Sequence, residues 1–434
     1  MHLDGSLAHF GRRDSGPRAD RVDRADRVRA LAAGVAPLGR TRNMGEPESR
    51  STVSLQGDLA AMWPKQALPA KGERLRLERL KAGLLTAGLR LTPAATRHLI
   101  ATTGGRLTQH EYATTGGLTL DLGHAVLVNA PVDEWFCDAT RFELDLVDES
   151  FVVIDGSGEV HPVARHIPLP GYLDTLDAED RPVTATCFSH ADRIRLSPIV
   201  GCAYACDYCD LPAERYLRRD ADQLIDALRI ALTDDALPPR HVLISGGSPG
   251  PKHVDWFEQI ILDVVAACPI PVDVMMSAIP ARADVVDRLV GGGVVGFSIN
   301  MELFSEEASL LHIRGKHRHA RPGYDAFVSR AVELLGRDGS VRSLIIGGLE
   351  AHQVTVDGIR HIASLGADPV ISPFRPAQRT SLADRRPPEA SEMLDLLEAS
   401  REVVAEAGVH LGPRCIPCHH NTLTFPWDVR ERVA

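Results

Sequence analysis

"RIRLSPIVGCAYACDYCDLP", residues 193–212, decides how the chain is read. It begins as a short strand-like run, turns at Gly201, and then sets Cys202, Cys206 and Cys209 within eight residues. Beyond this loop the chain alternates regularly. "ADQLIDALRIALTDD" has helical spacing and "HVLISGG" reads as a strand; "HVDWFEQIILDVVAAC" and "VDVMMSA" repeat the pair. "ADVVDRLVGGG" with "VVGFSINMEL", "YDAFVSRAVELLGRDG" with "VRSLIIGG", and "TVDGIRHIASLG" with "PVISPF" continue it, and "SEMLDLLEASREVVAEAG" is the last helix. Short apolar strands alternating with helices imply parallel strands joined by right-handed crossovers. Six strand–helix units fall short of an eight-fold barrel, so an open doubly wound sheet and a partial barrel both fit the pattern. In either, functional loops lie at the carboxyl ends of the strands, where the cysteines are.

The spacing Cys-x3-Cys-x2-Cys places three thiols on one loop. A structural zinc site or an ordinary four-iron cluster takes four protein ligands. Three thiolates on a cubane leave one iron open to an exogenous ligand. "CAYACDYC" followed by six βα units resembles the radical S-adenosylmethionine superfamily. The resemblance implies a [4Fe-4S] cluster on Cys202, Cys206 and Cys209, with S-adenosylmethionine (SAM) on the fourth iron. One electron then cleaves the sulfonium and yields a 5′-deoxyadenosyl radical that abstracts hydrogen from a substrate. It also implies that Tyr208 lies near the adenine and that a flavodoxin or ferredoxin supplies the electron.

Further matches extend the resemblance. "LISGGSP" resembles the family's Gly-Gly-Glu motif, with Gly246 and Gly247 matching and Ser248 in place of Glu. In "SINMELF", Asn300 and Glu302 lie two residues apart on a strand and share a face; ribose hydroxyls or the methionine ammonium suit them. "SLIIGGLE" resembles the loose Gly-x-Ile-x-Gly-x-x-Glu pattern, which implies Ile345 against the adenine, with Gly347 and Glu350 matching. Arg375 and Arg379 in "PFRPAQRT" suit a carboxylate or phosphate. "HIRGKHRHARPG", residues 312–323, reads as a basic loop on the same face or as a solvated one. The order of motifs is most similar to the biotin-synthase and lipoyl-synthase side of the superfamily, over about 190–400.

A second group closes the chain: "GPRCIPCHHNTLTFP" carries Cys415, Cys418, His419 and His420. An auxiliary iron–sulfur cluster or zinc site in the barrel mouth, built on Cys415, Cys418 and His419, is one reading. A redox thiol pair and inert structure are others. CxxCH also fits haem attachment, which demands export. Two cysteines are few for a cluster, so Cys137, Cys187 or a histidine would have to complete it.

Outward from these motifs the sequence is plainer. Residues 1–50 hold ten Arg and seven Asp or Glu, and read as a disordered tail, with Met44 an alternative start. Residues 75–100 read as one helix ended by Gly104 and Gly105, and 116–165 change to a period of two, as short strands joined by Gly and Asp turns. The expected division is a tail (1–50), an α+β accessory region (51–185), the barrel (186–400) and a Cys/His segment (401–434). The 434 residues carry a net charge of −10 with 44% hydrophobic and 24% charged residues. That balance argues against nucleic acid, since phosphate binding needs clustered positive charge. No run of eighteen apolar residues and no secretory pattern is visible, so no membrane partner and a cytoplasmic location are expected. Eight cysteines, five of them in two tight groups, favour metal or redox chemistry over a disulfide framework.

The expectation is therefore an α/β enzyme, a partial (βα)6 TIM-like barrel with an N-terminal α+β region, acting through radical SAM chemistry on a small molecule. The alternatives are a non-catalytic iron–sulfur or zinc scaffold or electron carrier, and SAM cleavage with aminocarboxypropyl or methyl transfer.

Overall fold

Among the described residues, two helices and seven short strands come first. Helix α1 (Lys71–Ala87) buries Leu77, Leu80, Leu84 and Leu85 along one side. β1 (Arg90–Leu91) and α2 (Pro93–Thr103) come after it. The single helix expected over 75–100 is thus broken. Gly88 leaves the helix at φ 70°, its amide still bonded to the Leu84 carbonyl, and the Leu89 amide turns to the Pro131 carbonyl. Pro93 then starts a new helix, the position where a missing N–H costs least. The structure is a computed structural model that describes residues 68–103, 116–279, 282, 284–336 and 340–430. The expected tail, the alternative start and the Gly104–Gly105 stop lie outside these residues.

The period-two stretch forms β2 (Gly117–Asp121), β3 (Leu127–Pro131), β4 (Glu143–Val147), β5 (Ser150–Ile154), β6 (Val160–Pro162) and β7 (Arg165–His166). They make two small sheets, ordered β1-β4-β5-β6 and β3-β2-β7.

The larger sheet has seven strands. β8 (Cys187–His190) runs antiparallel to β9 (Arg193–Leu196) at one edge. β10 (Ile199–Val200) and β11 (Leu217–Arg218) form a separate antiparallel clip. From β9 the order is strictly sequential through β12 (His241–Ile244), β13 (Val272–Met275), β14 (Gly296–Ser298), β15 (Ser340–Gly347) and β16 (Asp368–Pro373), all parallel. The crossover helices are α3 (Ala221–Leu232), α4 (Val254–Ala267), α5 (Asp284–Gly291), α6 (Glu306–His312), α7 (Arg314–Ala320), α8 (Tyr324–Leu335), α9 (His352–Ser364) and α10 (Ala390–Ala407). Their ends are written in the sequence. The Asp220 carboxylate accepts the Gln223 amide at the start of α3, and Glu389 and Glu392 form a reciprocal cap on α10, which Gly408 stops at φ 73°. The sheet is a curled half-barrel, the expected partial (βα)6 architecture with one antiparallel strand added.

The two faces of this sheet differ. One set of alternate residues, including Ile194, Leu196, Val242, Ile244, Val274, Phe297, Ile299, Ile345 and Ile371, joins the main hydrophobic core. The other set faces the concave lumen and is polar at the amino ends of the strands: Arg193, Arg195, His241, Asp273, Arg342 and Asp368, all buried. Buried charge is costly unless paired; Asp273 takes both His241 and Arg342, and Asp368 takes Arg414 at 3.0 Å.

The C-terminal segment, ending in α11 (Pro426–Arg430), covers the open edge. The Gly412 and Leu423 amides bond to the Pro369 and Ile371 carbonyls of β16, satisfying an edge that would otherwise template pairing. The same segment is tied to the accessory elements. Lys81 of α1 donates to the His419 and Thr424 carbonyls at 2.9 and 2.7 Å, and the Asn129 amide of β3 bonds to the His420 carbonyl. Arg401 of α10 joins Glu78 of α1 at 2.6 Å and Asp428 of α11 at 2.8 Å. All described residues lie in one compact unit, Val53–Ala434.

Candidate active site

The cysteine loop is seated by its neighbour. Gly201 turns at φ 69°, and the loop then passes directly over Gly247 at the end of β12. A Cβ on Gly247 would lie 1.7 Å from the Gly201 carbonyl oxygen and 2.9 Å from the Cys202 Cα. Only glycine admits that approach. Gly246 adopts φ 128°, which delivers the Ser248 amide to the Cys202 sulfur at 3.3 Å; the Tyr204 amide points to the same sulfur at 3.4 Å. Two backbone N–H groups thus converge on one sulfur. The Ala203 amide closes the contact on the Ser248 carbonyl at 3.1 Å. The Gly-Gly-Ser turn thus acts on the loop through its backbone, and its Ser248 hydroxyl pairs with Ser277 at 3.0 Å.

Cys202, Cys206 and Cys209 are all partly exposed. Burial pushes the Cys209 thiol up to about 12 and the Cys206 thiol higher still, with the Glu302 carboxylate adding to both. The three sulfurs do not form a tight cage: no metal-sized group within 4.8 Å includes them. A tetrahedral zinc site brings its thiolates about 3.8 Å apart, given Zn–S bonds of about 2.3 Å. Three thiols whose sulfurs do not all lie within 4.8 Å of one another suit a multi-iron group, whose thiolates bind separate irons.

Glu302 is the centre of the polar face beside this loop. It sits at φ 69°, a left-handed conformation that costs a non-glycine residue on the order of 1–3 kcal/mol. Its amide bonds to the Leu344 carbonyl and its carbonyl accepts the Ile346 amide, so the neighbouring strand holds it there. Its carboxylate accepts the Tyr208 hydroxyl at 2.5 Å and the Lys316 ammonium at 2.5 Å. Burial with the Glu302 charge beside it keeps the Tyr208 phenol protonated far above its usual range. Burial alone would lower Lys316, but Glu302 and the cysteines overcome it and the amine stays charged.

The expected residues do not all converge. Asn300 is held by its own neighbours, its Oδ1 accepting the Ser298 hydroxyl at 2.8 Å and the Leu344 amide at 3.3 Å. Ile345 does not line the lumen. Its methyl end lies 2.5 Å from where a Gly358 Cβ would be, against α9, and it is fully buried in the main core. Strand alternation turns Leu344 and Ile346 inward instead, into a cluster with Leu303, Ile313 and Phe374 that packs on Cys206 and Tyr208. Glu350 caps the next loop, accepting the Phe304 and Ser305 amides at 2.7 and 2.8 Å. Arg379 bonds to Asp210 and Glu214 of the cysteine loop's own flank, and Arg375 reaches back to Asn129.

The basic run at 312–323 proves to be part of the site. Gly315 and His319 pack on Tyr204, His312 meets Asp207 at 3.2 Å, and Lys316 reaches Glu302. Sequence reasoning did not single out Lys316. The available signal was a lysine one turn into a basic helix on the active face.

The second cysteine group lies elsewhere than expected. Cys415 and Cys418 are at the amino ends of the strands, not in the mouth. His419 turns its Nε2 to the Pro413 carbonyl at 2.6 Å, away from the thiols. The imidazole at the thiols is His241, the first residue of β12, with Nδ1 3.3 Å from the Cys415 sulfur. Cys137 and Cys187 belong to other contacts, with the Pro131 carbonyl and the Tyr172 hydroxyl.

Among the described residues, no helix is long and apolar enough to cross a membrane. No curated protein matches the chain. Several solved structures resemble it weakly. HydG, a maturase of the [FeFe]-hydrogenase, aligns at 14% identity over 50% of this chain and 51% of its own, TM-score 0.41. Streptococcus suis SuiB gives 13%, 52%, 49% and 0.42. A radical SAM methyltransferase from Sphaerobacter thermophilus gives 14%, 62%, 76% and 0.40. The chain thus spans about half the length of HydG and SuiB. Residues 196–353, from the end of β9 through Glu302 and Glu350 into α9, match the family model described as the radical SAM superfamily. That stretch is therefore similar to the radical SAM superfamily, whose enzymes bind a [4Fe-4S] cluster and SAM.

Proposed function

We propose that Cys202, Cys206 and Cys209 hold the [4Fe-4S] cluster, and that SAM occupies the lumen between them and Glu302. When bound, the pair supplies a 5′-deoxyadenosyl radical by one-electron cleavage of the sulfonium. The residues present suit that load: three separated thiols, a glycine pair that lets the loop seat, and a polar patch at the adjoining strand ends. The Gly246–Ser248 backbone orients the loop and donates to the Cys202 sulfur. Asn300 and Glu302 offer oxygen acceptors to an ammonium or to ribose hydroxyls, and Lys316 offers a cation to a carboxylate. Tyr208 holds Glu302 in place while its ring shields the loop from water. The observation that carries this reading is Glu302, a strained carboxylate held between Tyr208 and Lys316 beside the thiols. Strain of this kind persists where a site needs a side chain aimed.

The substrate in this reading is a small molecule that loses a hydrogen atom, and the electron comes from a flavodoxin or ferredoxin. Anaerobic reconstitution tests it. About four irons per chain, with an EPR spectrum of the reduced cluster that changes on adding SAM, is the expected result. 5′-Deoxyadenosine as the product supports hydrogen abstraction. Methylthioadenosine or S-adenosylhomocysteine would replace it with group transfer, and a spectrum indifferent to SAM would reject the site.

A further inference from the structure

At the amino end of the lumen, one imidazole and two thiols converge in a buried place that the radical chemistry does not use. His241, Cys415 and Cys418 are 2%, 7% and 6% exposed. His241 Nδ1, Cys415 Sγ and Cys418 Sγ all lie within 4.8 Å of one another. Ligand atoms of a tetrahedral zinc site sit about 3.5–3.8 Å apart, so a small inward shift closes this group on one ion. We propose that His241, Cys415 and Cys418 bind a single thiophilic divalent cation, of which zinc is the type.

The surroundings are built for that load. The His241 Nε2 hydrogen-bonds to the Asp273 carboxylate, which is itself held by Arg342. A carboxylate behind the imidazole fixes the ring and leaves Nδ1 bare toward the thiols, the second-layer arrangement common to metal-bound histidines. The Arg193 guanidinium lies 3.7 Å from the Cys418 sulfur, placing a positive charge beside the thiol. Thiolate is the ligand form.

Other uses of the pair fit less well. Thiol–disulfide exchange needs an accessible sulfur for in-line attack, and both are buried. A cubane spreads its thiolates over separate irons, whereas these atoms crowd one point. Three protein ligands leave a fourth place for water.

The site also has a mechanical consequence. His241 starts a central strand, while Cys415 and Cys418 belong to the segment that covers the edge strand β16 and is held by Lys81 of α1. One ion would pin that segment to the barrel floor. Strand rise places this floor about 16 Å from the Gly246–Gly247 turn, so the two metals are separate loads.

Metal analysis of the full chain distinguishes this from the cluster assignment. C202A/C206A/C209A should lose its iron yet keep about one zinc per chain after purification with zinc supplied. C415S and H241A should lose the zinc while reconstituting about four irons, and H419A should keep both. Cobalt-loaded C202A/C206A/C209A should show a thiolate-to-metal charge-transfer band that C415S lacks, which decides the matter if a zinc-free variant folds poorly. No zinc in C202A/C206A/C209A, iron in excess of four lost with Cys415, or zinc lost in H419A and kept in H241A would each overturn the proposal.

Discussion

The two ends of the lumen hold cysteines of opposite character. At the carboxyl end, Cys202, Cys206 and Cys209 are half-exposed on a loop seated by backbone contacts to Gly247 and Ser248. At the amino end, Cys415 and Cys418 are buried among Arg193, His241, Asp273 and Arg342. The first arrangement leaves its sulfurs partly accessible. The second encloses them in paired charge, where little can enter and a segment can be locked. The contrast shows that cysteine count alone does not assign a role; separation of the sulfurs, access and counter-charge do.

The largest expected effect is on the seating of the open loop. G247V forces the Gly201 carbonyl away from a Cβ that would stand 1.7 Å from it. Displacing a reacting group by about 1 Å costs on the order of 100-fold, so SAM cleavage should fall by that much while the zinc content stays. An equal loss of both metals would show that the two ends are not independent.

E302Q comes next. It removes the charge that Lys316 and Tyr208 share, worth about 1.5–3 kcal/mol for a hydrogen bond to a charged group. SAM binding measured by titration should weaken roughly 10- to 100-fold. Unchanged binding would remove Glu302 from the cofactor site.

I345V sharpens the reading of β15. With Ile345 against α9, the cost is about 1 kcal/mol of stability, seen in denaturant melts, with SAM cleavage unaltered. A loss of cleavage at unchanged stability would return Ile345 to the lumen.

The last effect concerns pH. Burial lowers Lys81 to about 7, with the Asp428 charge opposing it. The unfolded chain, with the lysine near 10.4, then binds more protons than the folded one across that interval. Stability therefore rises as pH rises from about 7 toward 10. The melting temperature should climb by a few degrees there on this account. K81M should flatten that rise; an unchanged slope would assign it to other groups.

Much of the architecture was legible in the chain. The six strand–helix units, the cysteine loop at the first strand's end and the Gly-Gly turn that seats it all obey local rules. Side-chain period and end-capping act within a few residues, so sequence reports them directly. The break at Gly88 and Pro93 was written there too, but the continuous apolar spacing masked it. Which face of β15 looks inward was not legible. "SLIIGG" is apolar on both faces, and only the pairing with β14 and the packing of Gly358 choose Leu344 and Ile346 over Ile345.

The sequence by itself determined the barrel rhythm, the three thiols at its carboxyl end and the pair near the C-terminus. Only the tertiary structure decided that Lys316 meets Glu302 and that His241, not His419, meets Cys415. His241 and Cys415 are 174 positions apart. They come together because the C-terminal segment closes the edge of β16, and a contact made by covering an open sheet leaves no periodic trace in either stretch of chain.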